Sequence, residues 1–172
     1  MNVEMTPYEY KQYQMWKRGR EGESCARVWL KEKLGIKNLF QLDWCFEYPV
    51  DSGKYWAAEI KNKEPYEPRP CHGAQYLAQG LNAYQFLARK KFKEDTGIRS
   101  LFWVSDSRTH EIYYRDLIEL HELTSKYNQC YLTQNDVLVF NLDFFHKDMD
   151  YINKNGFLVR KNEINTYAAG AA

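Results

Sequence analysis

Residues 55–61, Tyr-Trp-Ala-Ala-Glu-Ile-Lys, place a carboxylate and an ammonium two positions apart at the end of a mostly apolar run. In an extended strand, side chains two residues apart point to the same face. Glu59 and Lys61 are therefore predicted to project together, while Ala58 and Ile60 face an apolar layer. Such charges are costly to bury unless they are paired or bind a metal. The same pattern is also typical of a surface ion pair, so E-x-K alone does not establish a site.

The residues around this strand predict a β-hairpin. An aromatic and branched run at residues 39–50 is followed by Asp51-Ser52-Gly53 and then by residues 54–61. Two strand-like runs separated by a short glycine-containing loop are typical of a hairpin.

The hairpin turn determines which side chains share a face. A three-residue loop with a left-handed glycine pairs Val50 with Lys54 and so sets Asp43 opposite Lys61. Asp43, Glu59 and Lys61 then lie together, whereas a two-residue loop would move Asp43 to the other face. Two carboxylates in one site repel each other unless a divalent cation joins them, and oxygen ligands suit magnesium or manganese.

The N-terminal region is predicted to be helical over residues 7–34. Thr6 is a suitable N-cap and Gly35 a suitable end. Gly19 and Gly22 interrupt this run, so we expect a break there and two helices.

A third acid belongs to this helical region. Glu23 shares one helical stripe with Ala26, Leu30 and Leu34, so it is predicted to point toward the sheet. A solvated charge near a helix start is the alternative interpretation of Glu23.

The rest of the chain predicts further helices and strands. They are a proline-containing loop at 64–70, a helix at 73–94, strands at 99–105 and 111–115, a short helix from Asp116, and a strand at 137–142. This order indicates a single α/β domain over residues 1–166, followed by a loose C-terminal tail at 167–172.

Composition narrows the function classes. The 172 residues include 16% aromatic side chains, which argues against a disordered chain, and the net charge is +1. Nucleic-acid binding therefore needs a local basic patch.

The four cysteines form no C-x-x-C pair, which argues against a zinc site and for free thiols in a reducing cytoplasm. No secretory signal or membrane-spanning apolar run is visible, so we expect a cytoplasmic protein.

The order of these motifs resembles the PD-(D/E)XK nuclease superfamily. The shared features are a helix with G-R-x-G-E-x-x-A at residues 19–26, a strand with Asp, a short hairpin, E-x-K and a following helix with Gln. The resemblance implies a restriction-endonuclease-like mixed β-sheet of about four or five strands flanked by helices. It implies five catalytic positions, which are Glu23, Asp43, Glu59, Lys61 and either Gln79 or Gln75.

One position departs from the family pattern. Leu42 stands where a proline usually precedes the metal-binding Asp. Glu47 and Asp51 therefore remain rival candidates for the acid assigned to Asp43.

The chemistry implied by the resemblance is hydrolysis of DNA phosphodiester bonds with Mg²⁺, for which Mn²⁺ would substitute. Asp43 and Glu59 would hold the metal, Glu23 would hold an outer-shell water or a second metal, and Lys61 would act on the attacking water or the phosphate. This description fits a recombination, repair or junction-cleaving enzyme of a phage or mobile element, in a bacterial or phage-infected cell. Such an enzyme would cut both strands by acting twice or as a homodimer. A catalytically inactive nuclease-fold module that binds nucleic acid or protein is the alternative.

Residues near the E-x-K strand are predicted to contact nucleic acid. They are Lys63, Arg69, His72, Gln75 and Arg20. The cationic run at residues 89–93 is predicted to lie at a helix C-terminus, where the helix dipole alone favours positive charge.

Overall fold

The computed structural model describes residues 5–35, 38–42, 46–51, 54–68 and 76–163, with the side chains of residues 38–56 outside this description. The described residues form three α-helices and ten β-strands. In chain order these are α1 (Pro7–Leu34), β1 (Asn38–Leu42), β2 (Phe46–Asp51), β3 (Lys54–Lys63), β4 (Ala78–Asn82), α2 (Ala83–Thr96), β5 (Arg99–Asp106), β6 (Glu111–Asp116), α3 (Leu117–Lys126), β7 (Cys130–Leu132), β8 (Val137–Asn141), β9 (His146–Lys154) and β10 (Phe157–Arg160).

The strands form two sheets. The larger has seven strands in the order β1-β2-β3-β5-β6-β9-β10, and the smaller has the order β4-β8-β7. β3 and β5 run parallel, whereas the other described strand pairs are antiparallel. The predicted α/β fold with a mixed sheet and flanking helices is confirmed, and the main sheet is larger than the four or five strands expected. Among the described residues, no helix is long and apolar enough to cross a membrane.

Helices cover both faces of the main sheet. On one face α1 packs through Ala26 and Trp29 against Ala58 and Trp103. The other face carries α2, α3 and the smaller sheet, whose side chains join Phe102 in a second core. That second cluster is formed by Leu81, Phe86, Phe102, Val104, Leu117, Ile118, Leu120, Phe140, Leu142 and Phe145.

The helix α1 is continuous, so the predicted break at Gly19 and Gly22 is wrong. Its start is as predicted. The Thr6 hydroxyl accepts a hydrogen bond from the backbone N–H of Glu9, and the Glu9 carboxylate accepts one from the backbone N–H of Thr6. A Cβ atom at Gly22 would lie 2.5 Å from the Cβ atom of Asn62. Gly22 therefore allows α1 to approach β3 closely, and this packing outweighs the modest helix penalty of glycine.

The predicted hairpin register is also wrong. Residues 39–50 form two strands, β1 and β2, which pair with each other. In the β2–β3 pair, Val50 lies opposite Tyr55 and Asp51 opposite Lys54. Two residues therefore connect β2 and β3 in place of the expected three, and the predicted pairing of Val50 with Lys54 does not occur. Asp43 lies outside the described residues.

The second predicted helix, at 73–94, begins later in the structure than expected. Residues 78–82 form β4, antiparallel to β8, and α2 begins only at Ala83. A Cβ atom at Gly80 would lie 2.5 Å from the Leu138 carbonyl oxygen, so glycine is needed where these two strands approach each other. The strands expected at 99–105, 111–115 and 137–142 are present.

Candidate active site

Glu59 and Lys61 lie together on one face of β3, as the alternation of the strand predicts. Glu59 is buried, and its Oε1 is 2.8 Å from Nζ of Lys61. Because Glu59 alternates with Ala58, which faces α1, the pair lies on the opposite face, under α2. A central strand thus carries a charged pair inside the layer between sheet and helix.

Two side chains of α2 complete this cluster. Gln85 and Arg89 are four residues apart, so they lie on the same side of the helix. Gln85 donates through Nε2 to Oε1 of Glu59 at 3.1 Å and accepts through Oε1 from Lys61 at 3.2 Å. Arg89 donates to Oε2 of Glu59 at 3.0 Å. We call Glu59, Lys61, Gln85 and Arg89 the charged cluster.

The two sides of the Glu59 carboxylate differ in their access to solvent. Arg89, which contacts Oε2, has a side chain that is 1% exposed. Lys61, which contacts Oε1, has a side chain that is 22% exposed. Arg89 therefore holds one oxygen from the interior, and Lys61 marks the side from which a charged ligand can approach. Lys61 can therefore exchange Glu59 for another anion while Arg89 stays buried on Glu59.

Lys63 continues the same face toward the end of β3. Its Nζ donates to the Gly80 carbonyl at 2.7 Å and to the Tyr66 hydroxyl at 3.3 Å, and lies 4.6 Å from the centroid of the Tyr66 ring. Burial, with a smaller contribution from the nearby Lys61 charge, lowers the pKa of Lys63 to about 8. Lys63 is therefore tied to β4 and Tyr66, whereas the sequence had assigned it to nucleic-acid contact.

Gln79 is not part of the charged cluster. It lies buried on β4, not on the helix where it was predicted, and its Nε2 donates to the Lys63 carbonyl at 3.2 Å. Its Oε1 has no hydrogen-bond partner among the described residues. Gln85 is the glutamine on the following helix that contacts Glu59 and Lys61.

Glu23 does not meet Glu59. It lies on α1, which packs on the other face of β3, and its carboxylate pairs with Arg20 at 3.2 Å. The Arg20 side chain is 57% exposed, so it remains accessible from solvent.

Several predicted site residues lie outside what the structure describes. They are Asp43, Arg69, His72 and Gln75. Of the two rival acids, only the backbone is described: Glu47 lies opposite Ala58, and Asp51 opposite Lys54.

Sequence reasoning missed Gln85 and Arg89. Arg89 was predicted to lie in the cationic run at a helix C-terminus, but α2 extends to Thr96 and places Arg89 in its interior. Gln85, Phe86 and Arg89 share one face of any helix that covers them, including the helix predicted at 73–94, and that spacing is the signal that could have identified them.

The described residues do not complete a divalent-cation site. They contain no group of three or more His, Cys, Asp or Glu side chains arranged to hold a metal ion. Glu59 offers a carboxylate of suitable chemistry, but Lys61 and Gln85 contact its Oε1 and Arg89 its Oε2. A second carboxylate would have to come from outside the described residues, where Asp43 lies.

No protein-family model matches the chain, and no curated protein sequence matches it significantly. Among solved structures, the chain is similar to Hjc, a Holliday junction resolvase from the archaeal hyperthermophile Archaeoglobus fulgidus, with 12% identity and a TM-score of 0.44 over 85% of this chain and 96% of that one. It is also similar to D212, a nuclease from a fusselovirus, with 7% identity and a TM-score of 0.42 over 70% of this chain and 76% of that one.

Proposed function

We propose that this chain is a nuclease that hydrolyses DNA phosphodiester bonds at the charged cluster. The observation that carries the proposal is the pairing of buried Glu59 with Lys61 at 2.8 Å, with Lys61 on the solvent side. The E-x-K strand of the sequence resemblance supports the same reading.

The cluster is suited to exchanging one anion for another. A phosphate approaching from the solvent side would draw the Lys61 ammonium away from Oε1 of Glu59, and the ammonium would stabilise the charge that builds on the phosphate oxygens. Arg89 would remain on Oε2, so Glu59 would not be left as an unpaired buried charge. Gln85 contacts both Glu59 and Lys61 and would hold the two in position.

Magnesium, or manganese in its place, belongs to this proposal with Glu59 as one ligand and Asp43 as the other. Because two residues connect β2 and β3, the register argument no longer sets Asp43 opposite Lys61, and its role rests on the sequence resemblance alone. Bound there, the metal would act as a Lewis acid and lower the pKa of a bound water. Glu23 is not included, because α1 carries it on the opposite face of β3. Cutting of both DNA strands would take two successive reactions or a homodimer.

Cleavage assays test the proposal directly. Plasmid, four-way junction and single-stranded DNA are each incubated with the chain in magnesium, manganese or chelator. We expect cleavage with either metal, none in chelator, and none by Glu59→Gln. Glu94→Gln, an exposed glutamate on the same helix as Arg89, is the control and should cut like the wild type. Undiminished cleavage by Glu59→Gln would rule out this site.

A catalytically inactive nucleic-acid-binding module is the second candidate. It is favoured by one observation: both oxygens of Glu59 already have cationic partners, Lys61 and Arg89, as in a purely structural ion-pair cluster. Metal-independent DNA binding, without cleavage of any of the three substrates, would support this candidate over the nuclease.

A further inference from the structure

The first half of α1 extends beyond the sheet. Asn62, next to the end of β3, donates to the Arg18 carbonyl at 2.9 Å, and the residues of α1 that are buried begin at Gly22. Residues 5–20, which we call the helical arm, are exposed except for half-buried Gln14. Its helical part begins at Pro7, and at about 1.5 Å per residue residues 7–20 extend roughly 21 Å. It leaves the domain at the end of β3 that carries Lys61.

The arm is helical without burying a face of its own. The reciprocal Thr6–Glu9 capping box satisfies its N-terminal backbone groups. Its other end continues into the packed half of α1, so the arm extends an existing helix and needs no separate nucleation.

Aromatic rings cover this surface. Tyr8, Tyr10, Tyr13 and Trp16 are between 43% and 71% exposed, and the rings of Tyr13 and Trp16 stack at 6.1 Å. A soluble domain seldom exposes so many large apolar groups together without a partner.

Positive charge is concentrated on the same segment. The arm has one carboxylate, on Glu9, against the four cations of Lys11, Lys17, Arg18 and Arg20. The whole chain carries a net charge of only +1, so the arm is basic while the remainder is slightly acidic. This balance favours a polyanionic partner.

The distribution of the rings argues against a helix as that partner. At about 100° per residue, the four rings spread over roughly 200° of the helix circumference, and two of the four cations, Lys17 and Arg20, fall within that arc. Helix–helix packing needs a narrow apolar stripe. Rings interleaved with cations are instead the combination that binds single-stranded nucleic acid, by stacking on bases and pairing with phosphates.

We infer that the helical arm binds single-stranded nucleic acid and delivers unpaired strands to the end of β3, next to Lys61 and the charged cluster. The choice of this partner rests on the proposed nuclease function. Stacking requires bases that are not already paired, so the arm discriminates single strands and unpaired segments from continuous duplex.

Binding is measured with the full chain in chelator, so that no cleavage is needed for the result. The probes are a fluorescently labelled 20-nucleotide single strand and the matching duplex, followed by anisotropy. We expect the single strand to bind more tightly, and Tyr13→Ala/Trp16→Ala to weaken that binding by at least about tenfold. Tyr127→Ala/Phe157→Ala removes two exposed rings elsewhere and should leave affinity unchanged. Circular dichroism verifies that both variants remain folded.

Salt dependence separates the cations from the rings. Lys17→Gln/Arg18→Gln should reduce the slope of log affinity against log salt by about 1.4, since each phosphate contact on a single strand contributes about 0.7. Tyr13→Ala/Trp16→Ala should lower the affinity without changing this slope.

Two results would overturn the inference. One is single-strand affinity within twofold of wild type for both arm variants. The other is a wild-type dimer, seen by sedimentation, that Tyr13→Ala/Trp16→Ala dissociates without loss of DNA affinity, which would assign the arm to self-association. If the chain binds single strands through the arm but cleaves no DNA, only the nuclease proposal is refuted. If the chain cleaves DNA but the arm variants bind single strands as the wild type does, only the proposed role of the arm is refuted.

Discussion

A guanidinium nitrogen of Arg89 lies 3.0 Å from Oε2 of Glu59, and neither side chain is more than 2% exposed. The pair joins the middle of α2 to the central strand β3. It also neutralises Glu59 from the interior and leaves Lys61 as the more accessible cation. Arg89 is thus a positioning residue in our account, acting through Glu59.

Replacement of Arg89 should destabilise the fold. Arg89→Met leaves Glu59 with Lys61 and Gln85 but without its interior cation, and loss of one partner of a buried pair costs about 3 kcal/mol. The measurement is the free energy of unfolding in urea. Lys91→Met, which breaks the exposed Lys91–Asp95 pair on the same helix, should cost less than about 1 kcal/mol. Equal effects of the two variants would contradict the burial of the Arg89–Glu59 pair.

Lys63 should make stability depend on alkaline pH. Burial and the Lys61 charge lower its folded-state pKa to about 8, against an ordinary value of 10.5. Between these values the unfolded chain holds the proton that the folded chain has lost, so stability rises with pH. We expect the wild type to gain on the order of 2–3 kcal/mol relative to Lys63→Met between pH 8 and pH 10.5, measured by urea unfolding at each pH. A constant difference across this range would show that the Lys63 pKa is not lowered.

Two glycines of α1 should respond to alanine in opposite directions. Gly19→Ala meets no atom within 4 Å and should stabilise the chain by about 0.5–1 kcal/mol. Gly22→Ala would place a Cβ 2.5 Å from Cβ of Asn62 and should destabilise it by about 1–3 kcal/mol. Thermal or urea unfolding of the two variants checks both signs. Destabilisation by Gly19→Ala would favour a break in the helix at this point.

Local signals predicted much of the fold correctly. Thr6 and Gly35 mark the ends of α1, and Asp116 caps α3 by accepting from the backbone of Ile118 and Glu119. Long-range contacts caused the errors. A glycine stands at position 22 of the continuous helix α1 because Asn62, forty residues along the chain, packs directly against it. No local sequence pattern shows that contact.

The C-terminal hairpin is an omission that a local signal could have prevented. β9 and β10 pair around Asn155-Gly156, and both turn residues have positive φ. Asn-Gly between two strand-like runs is typical of a two-residue hairpin loop.

The candidate site was only partly predictable. The alternation of β3 correctly brought Glu59 and Lys61 together. Gln85 and Arg89 were missed because the helix was started too early, which drew attention to Gln79. The start of α2 depends on the pairing of β4 with β8, and that tertiary contact overrides the helical pattern of residues 78–82.

The most direct test of the account is the single-turnover cleavage rate of Lys61→Met, with saturating protein and magnesium. We expect a reduction of at least about 100-fold, the usual effect of removing a group that stabilises developing charge. DNA affinity should stay within about tenfold, and Lys154→Met, an exposed lysine on β9, should cut at the wild-type rate. Cleavage by Lys61→Met within threefold of the wild type would contradict the assignment of the charged cluster as the active site.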